Sequence, residues 1–112
     1  MKTHDHVTPR QEALAERNLY VALATLRTPE EVRAFMRDLC TPAELEAMAD
    51  RWAVVEPLKR EVPYRKIRQI TGVSLATITR VARFLHTGHG GYQTATRRLE
   101  QHRHAATSAG RP

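Results

Sequence analysis

Three times the sequence reads Thr-Pro-x-Glu/Gln: Thr8-Pro9-Arg10-Gln11, Thr28-Pro29-Glu30-Glu31 and Thr41-Pro42-Ala43-Glu44. Each is a capping box that starts a helix. The Thr hydroxyl accepts an orphan backbone N–H, proline at the first helical position has no N–H to lose, and the Glu or Gln reaches back to the cap. Apolar residues follow at helical spacing. After the first box come Ala15, Leu19, Ala22, Leu23 and Leu26, after the second Val32, Phe35, Met36 and Leu39, and after the third Leu45, Met48, Ala49, Trp52 and Val55. These stripes predict three amphipathic helices, the first running to about Leu26. Pro57 leaves the Ala53 carbonyl without its usual donor, so the third helix is expected to kink or fray towards Arg60.

Residues 63–85, PYRKIRQITGVSLATITRVARFL, repeat the pattern more tightly. Ile67 and Ile70 give a short helix a side to bury, Gly72 supplies a left-handed residue for an abrupt turn, and Ser74 caps the next helix. The reading is a helix-turn-helix. Its second helix separates two faces: Ile78, Val81, Ala82 and Leu85 form a core stripe, with Ala76, Thr79, Arg80 and Arg83 opposite. Small residues let a helix approach base edges, and arginines reach guanine or phosphate. Gly88, Gly90 and Gly91 then break the chain before a last helix from about Tyr92 to His104, with a disordered tail expected over residues 105–112 and another over residues 1–8.

With 112 residues, the chain has room for one core at roughly 100–200 residues per domain. Aromatics are 5%, which suits helix packed on helix better than a sandwich. Residues 1–58 hold seven Lys+Arg against ten Asp+Glu, whereas residues 59–112 hold eleven against two, which gives the net +6. The basic half favours a polyanion, nucleic acid before a membrane surface. Cys40 has no internal disulfide partner, and neither a signal peptide nor an apolar stretch of membrane-spanning length is present, so a reducing cytoplasm is expected. The six histidines lack the spacing of a metal site, and Cys40 reads as an inert packed thiol. No catalytic constellation stands out, and the chain is read as a non-enzyme without cofactor or metal.

The segment CTPAELEAMADRWAVVEPLKREVPYRKIRQITGVSLATITRVARFL, residues 40–85, resembles the Trp repressor superfamily, most closely its bacterial YerC/YecD group. The likeness extends over residues 18–97, and TPAELEAM, the basic helix pair and ATITR carry it. Arg68 stands at the fifth position of the motif, where most helix-turn-helix units have a small residue; the Trp repressor also has a long basic residue there. The resemblance implies an all-α, six-helix chain in an intertwined homodimer, with its two helix-turn-helix units meeting successive major grooves of duplex DNA. By the same carry-over, Leu75, Ala76 and Thr79 lie near bases, and Tyr64, Arg65, Arg68 and Gln69 near the DNA backbone. Apolar stripes with too few internal partners in so short a chain also call for pairing between chains.

The family's ligand pocket carries over only in part. Thr41, Arg51 and Arg80 match pocket residues, but Val81 and Phe84 stand where the repressor has a glycine and a serine. Burying these two side chains is worth about 1.5–3 kcal/mol each, so the pocket is expected to be plugged. Arg51 is then expected to pair with Asp50 or Glu56, with Arg80 turned to DNA. The resulting expectation is a sequence-specific DNA-binding regulator working without tryptophan as corepressor. The alternatives are an amino-acid-responsive, corepressor-dependent repressor and a non-DNA protein-interaction dimer.

Overall fold

A computed structural model describes residues 7–109, and everything regular in them is helical. The expected tail over residues 1–8 therefore lies almost wholly outside the described residues. The helices are α1 Pro9–Thr25, α2 Pro29–Leu39, α3 Pro42–Ala53, α4 Val55–Lys59, α5 Tyr64–Thr71, α6 Leu75–Thr87 and α7 Gly91–Ala109. The six expected helices are all present, the third broken into α3 and α4. The break sits at Val54, one residue past the carbonyl that Pro57 cannot serve.

All three expected caps form. Thr8 and Gln11 exchange both bonds, as do Thr41 and Glu44, with the Thr41 N–H donating to Glu44 Oε1 at 2.8 Å and the Glu44 N–H to Thr41 Oγ1 at 3.2 Å. At the second start the Thr28 hydroxyl accepts the Glu31 N–H, but the Glu31 carboxylate takes the N–H of Arg27, one residue earlier than expected. Helix α7 continues to Ala109, which corrects the expected end of the helix at His104. Residues 105–109 are Ala-Ala-Thr-Ser-Ala, and alanine is the strongest helix former.

The chain divides into two compact units, residues 1–45 and 46–112. In the first, α1 and α2 bury no residue completely; Leu19, Leu23 and Phe35 are half-buried, and Leu14 is 58% exposed. The second unit owns the core. Val54 and Val55 at the α3–α4 break, Ile67 of α5, Val73 of the turn, and Ile78 and Val81 of α6 close on one another, with Leu58, Val62, Leu85 and Tyr92 alongside. Ile70, expected beside Ile67 in this core, is instead 66% exposed. Three residues on from Ile67, it lies about 60° round the helix, past the edge of the strip that α6 covers.

Candidate nucleic-acid interface

The turn between α5 and α6 is held by its own backbone and three hydroxyls. Gly72 takes a left-handed conformation, φ 74°, and donates its N–H to the Arg68 carbonyl at 2.9 Å. The Thr71 hydroxyl donates to the Ile67 carbonyl at 2.7 Å and accepts the Val73 N–H at 3.2 Å. Ser74 caps α6 by accepting the Thr77 N–H at 3.2 Å, and its hydroxyl donates to that of Thr77 at 3.0 Å. With Ile67, Val73 and Ile78 buried behind this turn, α5 and α6 are fixed as one unit.

The residues singled out in the sequence lie at the surface of both helices. Tyr64, Arg65, Arg68 and Gln69 of α5 and Leu75, Ala76, Thr79, Arg80 and Arg83 of α6 are all exposed. Neither helix contains an Asp or Glu, and Lys66 adds a fifth cation to the four arginines. The Thr79 hydroxyl donates to the Leu75 carbonyl at 2.9 Å, which uses its proton locally and leaves the oxygen lone pairs and the methyl group outward. Arg80 lies with its guanidinium carbon 4.9 Å from the centre of the Phe84 ring, and Arg83 lies at 6.0 Å from the same point.

Beside this face is an open cleft of about 510 Å³ lined by Arg51, Arg80, Val81, Phe84, Trp52 and Tyr92, with Gly88, His89, Gly91 and Ala95 completing its wall. Of the two side chains expected to fill this space, one is buried and the other is not. Val81 is buried in the core, whereas Phe84 is 38% exposed, its ring lying by Arg80 and Arg83. Gly88 and Gly91 contribute no side chain to the cleft lining. A Cβ on Gly88 would stand 2.3 Å from the Phe84 carbonyl oxygen. Thr41 is engaged at the start of α3 as its cap.

Arg51 also departs from expectation. Glu56 pairs with Arg103 of α7 at 3.5 Å, and Arg51 makes no ion pair among the described residues; it stands half-buried on the cleft wall. Two further bonds tie α7 to its neighbours: the Lys59 ammonium donates to Thr96 Oγ1 at 2.7 Å, and the Gln93 amide donates to the Leu85 carbonyl. Trp52 and Tyr92, which the sequence reading did not bring together, face each other with ring centres 6.4 Å apart. Three helices lie between them in the chain, so no local pattern signals the pair.

An all-helical chain with a rigid, carboxylate-free helix-turn-helix has the architecture of the helix-turn-helix class. The family model for the Trp repressor protein matches residues 16–100, and the chain belongs to that family. It is 37% identical over 83 residues to the uncharacterized protein YerC of Bacillus subtilis (strain 168), covering 74% of this chain and 80% of YerC. A candidate Trp repressor from Staphylococcus aureus superposes with a TM-score of 0.75 at 32% identity, covering 84% of this chain and 96% of that one. A TrpR-like protein from Eubacterium eligens superposes with the same TM-score and identity over 83% of this chain and 96% of its own. Among the described residues no helix is long and apolar enough to cross a membrane.

Proposed function

We propose that this chain is a cytoplasmic, homodimeric, non-enzymatic regulator of transcription that binds a roughly palindromic DNA site through its helix-turn-helix. The observation that carries the reading is the exposed face of α5 and α6, where small and basic side chains stand together without a carboxylate over a closed core. On it, Leu75, Ala76 and Thr79 read bases while Tyr64, Arg65, Arg68 and Gln69 grip the backbone, with Arg80 and Arg83 reaching either. Pairing of two chains is supported by the helices that bury nothing alone, α1 to α3, and by Leu39, Met48 and Trp52 left exposed on them or their ends.

Duplex binding measured across salt concentrations tests the proposal. Affinity should fall steeply with salt, Arg68→Ala should weaken all sequences and flatten the slope by about one, and Thr79→Ala should relax preference at particular base pairs by about 1–3 kcal/mol. A salt-independent or absent interaction with DNA would transfer the basic face to an acidic protein partner. Light scattering that returned a folded monomer of 12.8 kDa at micromolar concentration would remove the dimer.

The open cleft favours a second reading, in which a small organic anion enters between Arg51 and Arg80 and acts on the DNA-binding face. Calorimetry against the amino acids decides it. A ligand that binds there and raises operator affinity tenfold supplies about 1.4 kcal/mol of coupling, and one without differential affinity for the DNA-bound state shifts nothing.

A further inference from the structure

Phe84 is a large apolar side chain on α6 that the core leaves out. It lies one helical turn after Arg80 and directly after Arg83, and both guanidiniums are drawn to its ring, at 4.9 and 6.0 Å from the ring centre. An aromatic face carries negative charge density and attracts a guanidinium within about 6 Å. Neither arginine has a hydrogen-bond or ion-pair partner among the described residues, and neither helix of the motif offers a carboxylate. The ring is the contact they share.

Resting on the DNA-binding reading above, the geometry points to Phe84 as a positioning residue for the DNA-contacting arginines. A guanidinium at the end of a long flexible stem loses rotamer freedom when it grips a phosphate or a guanine edge. A ring that already confines Arg80, and holds Arg83 at the edge of its reach, makes that loss smaller while leaving the N–H groups free to bond outward. Phe84 touches no DNA itself. Its contribution passes through the two arginines and depends on the π face, so an aliphatic side chain of similar size cannot supply it.

The test uses the full chain and a duplex carrying the site that the wild type selects from a random pool. Phe84→Leu should bind about two- to fivefold more weakly, the range expected for one exposed cation–π contact. The salt slope should stay unchanged because no charge is removed, whereas Arg80→Gln should flatten it. Phe84→Tyr should match the wild type. In an Arg80→Gln background, Phe84→Leu should cost less than half of what it costs alone, since a coupled pair is not additive. In the free protein the Arg80 side-chain protons should resonate upfield from the ring current, and Phe84→Leu should abolish the shift. The role is overturned if Phe84→Leu binds as well as the wild type, if Phe84→Tyr binds as weakly as Phe84→Leu, or if the loss is undiminished in the Arg80→Gln background. Should Phe84→Leu not fold, unshifted Arg80 protons in the wild type overturn it equally. A wild type that selects no site overturns the DNA reading itself, and this role with it.

Discussion

Two isoleucines three residues apart on α5 should respond very differently to truncation. Ile67 has no exposed surface and touches the Val54, Val55, Val73, Ile78 and Val81 cluster; Ile70 is 66% exposed. Ile67→Ala removes three carbons at about 0.8 kcal/mol each and leaves a cavity in a core too small to collapse around it, which places the cost at about 3–4 kcal/mol. Against the 5–15 kcal/mol typical of a whole domain, that loss should lower the melting temperature by on the order of 15–25 °C. Ile70→Ala removes the same atoms from a site largely in water, and alanine's better helix propensity offsets part of the loss, so the change should stay below about 1 kcal/mol. Urea unfolding followed by circular dichroism, at one fixed chain concentration so that association does not shift the midpoint, measures both. Equal losses at the two positions would refute the reasoning. They would mean that something outside this chain covers Ile70.

The remaining predictions concern single contacts. Gly72→Ala meets no atom within 4 Å but forces an alanine to φ 74°, so it should destabilise by about 1–2 kcal/mol, with Gly72→Asn milder; parity of Gly72→Ala with the wild type in urea would contradict the turn geometry. Gly88→Ala has an ordinary φ yet pushes a Cβ against the Phe84 carbonyl oxygen and carbon, which are backbone and cannot swing aside. It should cost about 1–3 kcal/mol in the same assay. The Glu44 carboxylate accepts the Thr41 N–H and is held below the usual carboxylate range by that bond and then by the Thr41 side chain. Its folded pKa being depressed, its contribution is present above the unfolded pKa and lost as pH falls through the folded one. An NMR titration should show Glu44 titrating below an ordinary glutamate in the wild type and returning only part of the way in Thr41→Ala, which removes the hydroxyl but keeps the backbone N–H.

Where signals are local, the sequence and the structure agree closely. A capping box is satisfied within four residues, so its geometry hardly depends on the rest of the fold, and the hydroxyls of Thr8, Thr28 and Thr41 all cap, with only the Glu31 carboxylate bonding one residue early. The effect of Pro57 is equally local, since the missing donor is always four residues from its carbonyl. The exposed face of the helix-turn-helix was legible because helical periodicity alone separates Ile78, Val81 and Ala82 from Ala76, Thr79 and Arg80. Ile70 was misplaced for the complementary reason. Periodicity says which residues share a side of α5, but how wide a strip gets covered depends on how much surface α6 and α4 present to so short a helix.

Phe84 shows the same limit acting on the site. Volume alone argues that a phenylalanine placed next to a gap will fill it. Direction argues otherwise: side chains on a helix lean back toward its N-terminus, over the residue four positions earlier. For Phe84 that residue is Arg80, and the ring lies by its guanidinium. The rule was available in the sequence, yet it competes with burial, and only the packing of Val81 into the core settles which neighbour Phe84 takes. Arg80 consequently belongs to three surroundings at once: the cleft wall, the aromatic ring and the outer face of α6. An anion entering the cleft has to draw the guanidinium from the ring, whereas a phosphate on the outer face meets its N–H groups while it still lies on the ring. Any coupling between cleft and DNA would therefore pass through the side chain of Arg80, and its strength is bounded by how differently the two occupants leave that one guanidinium placed.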